Sequence, residues 1–274
     1  MGSRLLHFFG GNNKYLLDFY PNASVGFSLR KLRGGYNGSC IRVRRSSDNS
    51  ELNIGFVNDE LDTASLLSFC GANNGFISIW YDQSINSNNA AQTTILSQPQ
   101  IVASGSIINV NTKPAITFDG TNDFLNLTTN INPTSSSYNT FVGKRDLASR
   151  RMFGLSGRQS SSAYLFGLWN DNKYYLQANS TNYQTSNAVD NSTTQLLLTG
   201  ANSSGSMSIY KNSNLVPSSQ ITTPIILNLN AIGAYGVSGL VANCSIQEIV
   251  FYNDNQLANR SGIEADINAY YKIF

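Results

Sequence analysis

Short segments in which apolar residues alternate with polar ones, or run as brief apolar stretches, recur along most of the chain, with Gly, Asn and Ser between them. A period of two is typical of strands. The pattern predicts strands over residues 53–57, 76–81, 107–110, 115–118, 138–143, 151–155, 163–169, 174–178, 195–200, 206–211, 231–234 and 244–252. So many short strands favour a sandwich or jelly roll over an α/β architecture.

A few segments place apolar residues at helical intervals instead. Residues 61–69 predict a helix that Asp62 or Thr63 would cap, residues 259–271 predict a closing amphipathic helix, and residues 24–33 predict another short helix. The expected apolar faces are Leu66, Leu67 and Phe69 or Cys70 in the first, Ile263, Ile267, Tyr270 and Tyr271 in the second, and Val25, Leu29 and Leu32 in the third.

The composition fits one large domain. With 274 residues and 41% hydrophobic content, the chain can bury a full core without a second domain. We therefore expect an N-terminal arm over residues 1–17 and a sandwich over residues 18–274. Charged residues make up only 12%, and a surface rich in amides and hydroxyls is common in proteins that work outside cells.

The net charge of +2 is too small to indicate nucleic acid as a partner. The basic residues cluster once, and acidic residues follow closely, so we expect internal ion pairs there. The basic residues are Arg30, Lys31, Arg33, Arg42, Arg44 and Arg45, and the acidic ones are Asp48, Glu51, Asp59, Glu60 and Asp62.

The three cysteines, Cys40, Cys70 and Cys244, lack C-x-x-C spacing, so no zinc site is predicted and at least two are expected to be buried free thiols. No apolar run is long enough for a membrane span, and the N-terminus lacks the pattern of a secretory leader. We therefore expect release by cell lysis, with secretion by another route as the alternative.

The N-terminus carries a short apolar segment bounded by Gly10 and Gly11. We expect this segment, formed by Leu5, Leu6, Phe8 and Phe9, to be an assembly arm that packs on the sandwich or on a neighbouring subunit.

Spaced fragments of the first third resemble a known group of β-sandwiches. They are FSLRKLR (27–33), IRVRRSSDN (41–49), LDTASLLSF (61–69) and WYDQSINSNNA (80–90). These fragments resemble the jelly-roll catalytic domain of fungal-type α-L-arabinofuranosidases and, more closely, the laminin-G-like jelly rolls of bacteriophage virion proteins and Bacteroidetes surface proteins. The segment FDGTNDFL (118–125) is similar to a hairpin common in laminin-G-like sandwiches. The resemblance implies an all-β, concanavalin/laminin-G-like jelly-roll sandwich with a few short helices, including a C-terminal one.

The sequence lacks the residues that most catalytic mechanisms require. His7, the only histidine, lies in the expected arm, and no phosphate-binding glycine loop is present, which leaves carboxylate pairs as candidate machinery. The resemblance implies a nucleophilic Glu beside a cysteine pair in the middle of the chain and an Asp acid in a late glycine-rich stretch. Residues 141–162 contain no Glu and no cysteine pair, and residues 231–245 contain no carboxylate. We therefore predict no catalytic residue and no enzyme activity.

Other carboxylate pairs have structural interpretations. Asp119 and Asp123 are expected to accept turn N–H bonds, whereas the acids of two later pairs, Glu248 with Asp254 and Glu264 with Asp266, are expected at a helix start or on its solvent face.

Two places remain as candidate carbohydrate sites. The turn with Asp82, Asn86 and Asn88 is rich in oxygen ligands and is a candidate for Ca²⁺ or sugar hydroxyls, although such turns also bond their own backbone, which is the favoured interpretation. Trp169 precedes a polar loop and is the candidate exposed stacking platform, whereas Trp80 is expected in the core.

The favoured functional prediction is a non-enzymatic bacteriophage virion protein, a capsid decoration, fibre or tail-associated component that adheres to host glycan. Its expected partners are other virion proteins, copies of itself and host surface glycan, with no nucleic acid and no membrane; no cofactor is expected apart from Ca²⁺ as an option. The alternative is a carbohydrate-binding or degenerate glycosidase domain of a bacterial surface or secreted protein, and an active arabinofuranosidase-like hydrolase comes third.

Overall fold

A computed structural model describes residues 15–133, 136–158, 164–177, 183–203, 206–220, 228–236 and 240–274. The predicted assembly arm, with Leu5, Leu6, Phe8 and Phe9, lies outside these residues.

Short strands make up most of the described structure. Those in the first half are β1 (Val25–Ser28), β2 (Ile41–Arg45), β3 (Glu51–Ile54), β4 (Phe56–Val57), β5 (Glu60–Leu61), β6 (Gly75–Trp80), β7 (Ala90–Ala91), β8 (Gln100–Ala103), β9 (Ser106–Ile107), β10 (Asn109–Val110), β11 (Lys113–Pro114), β12 (Ile116–Asp119) and β13 (Leu125–Ile131). Those in the second half are β14 (Ser136–Lys144), β15 (Met152–Phe153), β16 (Leu155–Ser156), β17 (Leu165–Leu168), β18 (Tyr174–Gln177), β19 (Tyr183–Ser186), β20 (Leu196–Ser203), β21 (Ser206–Lys211), β22 (Asn214–Leu215), β23 (Ser218–Gln220), β24 (Leu229–Ile232), β25 (Ala234–Tyr235), β26 (Leu240–Val241) and β27 (Asn243–Tyr252).

The strands pair antiparallel into a large sheet and a five-stranded sheet. The large sheet follows the order β16-β24-β13-β7-β6-β8-β12-β27-β14-β20-β21-β22, and the smaller follows β15-β17-β18-β19-β23. The longest strand, β27, pairs with β1, β12 and β14 and so links the start, middle and end of the chain. The predicted all-β jelly-roll sandwich with short helices is confirmed.

The strand β27 is apolar on both faces because it separates two hydrophobic cores. Ile249 and Phe251 point into the main core, whereas Val250 and Tyr252 point into a second core on the outer face. Helix α3 (Arg260–Tyr271) closes that second core with Ile263, Ile267 and Tyr271, which confirms the predicted C-terminal helix. A strand covered on both faces reads as a continuous apolar run rather than an alternating one.

Helix α2 (Thr63–Cys70) forms where the sequence predicts it. The Asp62 carboxylate caps the helix by accepting the Ser65 N–H at 3.0 Å, and Leu66 and Cys70 are the buried residues of its face. A further short helix, α1 (Leu16–Phe19), and a 3₁₀ turn (Ile95–Ser97) complete the helical segments of the described residues.

Two local predictions are wrong. The helix predicted over residues 24–33 is instead strand β1, which is buried along its length and pairs with β27, so tertiary pairing outweighs the helical spacing of its apolar residues. The segment 118–125 is not a hairpin: β12 pairs with β8 and β27, whereas β13 pairs with β7 and β24. Its turn redirects the chain between non-adjacent strands.

Internal pairing of the basic cluster is observed, with some partners that the sequence did not indicate. Arg45 pairs with Asp48 and Arg42 with Glu51, as expected from their proximity. Arg30 instead reaches the far end of the chain and binds both Glu248 and Asp266 at 2.8 Å.

The buried thiols and Trp80 lie in the core as predicted. Cys40, Cys70 and Cys244 are buried free cysteines, and Trp80 is fully buried against Phe27, with ring centroids 5.6 Å apart. Among the described residues, no helix has the length and apolar character to cross a membrane.

Candidate functional site

The Asp82 carboxylate lies at the centre of a closed turn after β6. It is 1% exposed. One carboxylate oxygen accepts the N–H groups of Gly26 and Ser84, each at 2.8 Å, and the other accepts the Asn88 N–H at 2.9 Å and the Ser84 hydroxyl at 2.7 Å. Burial raises the pKa of Asp82, and these hydrogen bonds act in the opposite direction by favouring the ionised form.

The amides of the same turn also bond the chain itself. The Asn86 side chain donates to the carbonyl oxygens of Ala23 and Ser24, at 3.1 and 3.0 Å. The Asn88 amide donates to the Thr129 carbonyl at 2.7 Å and accepts the Thr129 N–H at 2.8 Å. These contacts are those of a structural turn that ties β6 to β1 and β13, and a role of these three side chains in binding sugar stays a prediction.

No group of three or more His, Cys, Asp or Glu side chains with metal-site geometry occurs within the described ranges. Calcium binding at the Asp82 turn also stays a prediction.

Trp169 occupies a different environment at the end of β17. It is half-buried and stacks on Phe153, with ring centroids 6.3 Å apart and planes inclined by 26°. The edges of Tyr235 and Tyr175 contact it, with centroids 5.6 and 6.5 Å away. Trp169 is thus half-buried rather than fully exposed, and its predicted role as a stacking platform for sugar stays a prediction. It is one ring of a mixed group, here called the Trp169 cluster and defined as Trp169, Phe153, Tyr175, Tyr235 and Arg151.

Strand pairing in the smaller sheet brings these residues together. Gly167 pairs with Phe153 on one side and Tyr175 on the other, which places the neighbouring Trp169 beside both rings. A Cβ atom at residue 167 would lie 2.1 Å from the Met152 carbonyl oxygen, so only glycine permits this approach of the strands.

Arg151 completes the cluster as a cation. Its guanidinium carbon lies 4.8 Å from the centroid of the Trp169 ring, a cation–π arrangement. Its Nε atom is buried and has no hydrogen-bond partner among the described residues, whereas its backbone carbonyl accepts the Asn243 N–H at 2.8 Å. A buried donor without an acceptor is uncommon in a folded protein, and the Arg151 Nε is one of several such buried polar atoms among the described residues.

The cluster sits where the middle and late stretches of the chain meet. Backbone bonds join Gly233 N–H to Gly154 O at 3.2 Å and Gly236 N–H to Gly157 O at 3.0 Å, in addition to the Asn243 bond to Arg151. These are the two stretches in which the family resemblance implies catalytic carboxylates and the sequence has none. Aromatic rings and a guanidinium occupy their junction instead.

Carboxyl groups approach this junction from two other segments. Asp171 is exposed and accepts the Tyr175 hydroxyl at 2.7 Å. On the other side, the Asn243 amide donates to the Asp119 carbonyl at 2.6 Å, which places the turn with Asp119 and Asp123 beside the start of β27.

Asp123 has the protonation behaviour of an acid near neutral pH. Its carboxyl is 6% exposed and accepts the Asp119 N–H at 3.0 Å, whereas the Asp119 carboxylate accepts the Thr121 N–H at 2.7 Å. Burial, with a further contribution from the Asp119 charge, raises the pKa of Asp123 to about 7. Both acids bond turn N–H groups, as the sequence indicated.

Glu248, Glu264 and Asp266 form structural ion pairs, and the burial of Glu248 and Glu264 corrects their predicted placement on a solvent face or helix start. Glu248 is buried in β27 and accepts Arg30 Nε and the Ser28 hydroxyl, both at 2.8 Å. Glu264 is fully buried on α3, where Arg260 donates to it at 2.5 Å. Asp254 remains at the exposed surface after β27.

The described strands form an antiparallel β-sandwich, and part of its sequence matches a known family. Residues 21–138 match the family model "Alpha-L-arabinofuranosidase B, catalytic". No curated protein sequence matches the chain.

Among solved structures, two GH54 α-L-arabinofuranosidases share the fold. One, a variant soaked with 4-nitrophenyl α-L-arabinofuranoside, has a TM-score of 0.67 at 12% identity over 90% of this chain. The other, complexed with arabinofuranosyl-α-1,2-xylobiose, has a TM-score of 0.64 at 13% identity over 90% of this chain. The present chain spans 62% of the length of each.

These findings correct one prediction and leave others open. The prediction of no enzyme activity is overturned by the match of residues 21–138 to a family model of a catalytic domain, whereas the solved structures show a shared fold. The predicted relation to α-L-arabinofuranosidases is confirmed at the level of the fold. The virion setting, its partners and the adhesion role gain no support from the comparisons and stay predictions.

Proposed function

We propose that this chain is a carbohydrate-active domain of the arabinofuranosidase type that engages its sugar at the Trp169 cluster. The observation that carries the proposal is the convergence of β15, β17, β18 and β25 on Trp169, at the junction of the two stretches where the resemblance implies the catalytic centre. Half-buried rings with a polar group beside them are typical of ligand sites, where apolar walls provide contact and a few polar groups give orientation.

The chemistry of the cluster suits a sugar ring. The Trp169 and Tyr235 rings offer apolar faces to the C–H face of a pyranose or furanose, while the Tyr hydroxyls and Arg151 offer hydrogen bonds to its rim. Burial raises the pKa of Tyr235, so its hydroxyl stays protonated and able to donate at neutral pH.

For hydrolysis, Asp123 is the proposed proton donor. A general acid works best when its pKa is near the operating pH, and the pKa of about 7 meets that condition. The second carboxylate that glycoside hydrolysis commonly uses would come from Asp119 or Asp171, the acids that flank the junction.

Binding and cleavage can be tested in one experiment with the purified chain. A glycan array reports binding, and sugar release from α-L-arabinofuranosides and from each array hit reports cleavage. We expect Trp169→Ala to weaken binding by tenfold or more, about the effect of losing one stacked ring. The control is Tyr36→Ala, which removes another partly buried aromatic that pairs with Phe56 away from the cluster.

The role of Asp123 as the acid is tested separately, because it should affect sugar release and not binding. Asp123→Asn should abolish sugar release and leave binding within about threefold of wild type, because the amide keeps the acceptor for the Asp119 N–H. Unchanged binding in Trp169→Ala would contradict the site. Unchanged release in Asp123→Asn would contradict the role of Asp123.

A further inference from the structure

Two arginines near the Trp169 cluster differ from most other arginines in their partners. Most of the other guanidinium groups in the described residues form ion pairs with carboxylates or bond amides and carbonyls. The ion-paired ones are Arg30, Arg42, Arg45 and Arg260. Arg44 and Arg145 instead bond amides and backbone carbonyls. Within the described part of the chain, the side chains of Arg151 and Arg158 have neither kind of partner.

Both arginines are held by aromatic rings rather than by anions. Arg151 lies 4.8 Å from the centroid of Trp169, and Arg158 lies 3.7 Å from the centroid of Phe124. Each is half-buried and lies over a ring, and the buried Nε of Arg151 has no acceptor among the described residues.

The backbone places the two arginines at the ends of one segment beside Tyr235. Residues 151–158 run along residues 233–236, joined by the bonds of Gly154 to Gly233 and of Gly157 to Gly236. Arg151 marks one end of that segment and Arg158 the other. The Trp169 cluster therefore carries one oriented positive charge, that of Arg151, which the described residues do not neutralise, and Arg158 carries a second at the other end of the segment.

We infer that the sugar recognised at the Trp169 cluster is anionic and carries a carboxylate, as a uronic acid does; this inference rests on the proposed function. A planar guanidinium with free donors matches the two oxygens of a carboxylate, and such charge-assisted pairs are stronger than neutral hydrogen bonds. The buried Nε of Arg151 gains the acceptor that it lacks, while the sugar ring stacks on Trp169.

The inference is tested by comparing matched acidic and neutral sugars. Binding of galacturonate oligosaccharides is measured against their methyl esters, which keep the ring and remove only the charge, and against neutral arabinofuranosyl oligosaccharides. We expect wild type to prefer the acid over the ester by roughly ten- to a hundredfold. The preference should shrink at about 0.5 M salt, because the charges at a half-exposed site are screened.

Three variants locate the effect. Arg151→Gln should remove most of the preference, because it weakens binding of the acid far more than binding of the ester, and Arg151→Lys should restore the preference only in part, since lysine lacks the planar fork. The control is Arg150→Gln, which removes a neighbouring charge that is exposed. It should keep the preference.

The outcomes separate this inference from the proposed function. Equal affinity for acid and ester in wild type, or a preference that survives in Arg151→Gln, overturns the carboxylate assignment while Trp169-dependent binding of neutral sugar still supports the site. A stronger preference for sulfated sugars than for carboxylated ones also overturns it. Failure of wild type to bind any sugar overturns both.

Discussion

The Asp82 turn and the Trp169 cluster are both places where polar groups meet buried surface, yet they satisfy those groups in opposite ways. At Asp82 the carboxylate accepts four hydrogen bonds from its own chain. At Trp169 the Arg151 guanidinium lies over a ring, and its buried Nε has no partner in the part of the chain that the structure describes. A saturated group stabilises the fold, whereas an unsaturated one costs stability and is available to a ligand.

The largest expected effect on stability comes from removing the Asp82 carboxylate, which accepts four hydrogen bonds from its own chain. Asp82→Ala should lower the free energy of unfolding by roughly 3–5 kcal/mol, because the N–H groups of Gly26, Ser84 and Asn88 lose their acceptor inside the protein. Urea unfolding followed by circular dichroism measures the change. The matched control is Asp171→Ala, which removes an exposed carboxylate at the other site and should cost less than about 1 kcal/mol.

Should Asp82→Ala fail to fold, Asn88→Ala tests the same turn. It removes the paired bonds to Thr129 and should cost about 1–3 kcal/mol. Equal stability of the Asp82 and Asp171 variants would show that the contrast between the two places is wrong.

Arg44 and Arg151 allow the same comparison to be made between two arginines, with smaller expected changes in stability. Arg44 and Arg151 both lie 4.8 Å from a ring centroid, over Phe76 and Trp169 respectively. Arg44 also donates to Gln98 at 2.6 Å and to Asn49 at 2.9 Å. Arg44→Met should therefore cost about 2 kcal/mol, whereas Arg151→Met should stay within about 1 kcal/mol of wild type or exceed it.

The same urea experiment decides between these outcomes. A loss in Arg151→Met as large as that in Arg44→Met would mean that Arg151 has a structural task like that of Arg44. Its proposed availability to a ligand would then be withdrawn.

The smallest expected effect is a pH dependence from Asp123. Its pKa in the folded protein, about 7, lies above the value in the unfolded chain, so the folded state binds more protons between about pH 4 and pH 7. Its contribution to stability is complete below the unfolded pKa and is lost as pH rises through 7. Stability should fall by roughly 1–2 kcal/mol from pH 6 to pH 8 on account of this group.

Asp123→Asn should flatten that part of the pH profile and be more stable than wild type at pH 8, as measured by unfolding at several pH values. The control is Asp254→Asn, an exposed acid after β27, which should leave the slope unchanged. A slope that persists in Asp123→Asn would assign the titration to another group.

Local patterns were predictable from sequence wherever local interactions decide the structure. The cap of α2 is an example, since Asp62 and Ser65 are three residues apart and the bond between them needs no distant partner. The fully buried Trp80 and the apolar face of α3 are further examples, because long apolar side chains at the right period leave few alternatives.

The candidate site was only partly predictable. Trp169 was identified from its place before a polar loop, but Phe153, Tyr175, Tyr235 and Arg151 were missed as its neighbours. A signal was present: aromatic and basic residues occupy the two stretches that lack the expected carboxylates. Turning that signal into a site needed the pairing of residues far apart in sequence, which composition and period do not encode.

The amino-acid sequence by itself determined the class of fold, the capped helix and the closing helix, because these follow from the period of apolar residues and from contacts within a few positions. Only the tertiary structure decided that Val25–Ser28 form a strand in place of the predicted helix, that residues 118–125 are not a hairpin, and that Arg30 pairs with Glu248 and Asp266. It also decided that Arg151 lies over Trp169 with no partner for its Nε among the described residues. Each of these depends on which distant strands become neighbours, and that choice is made by burial of the whole sandwich rather than by any local propensity.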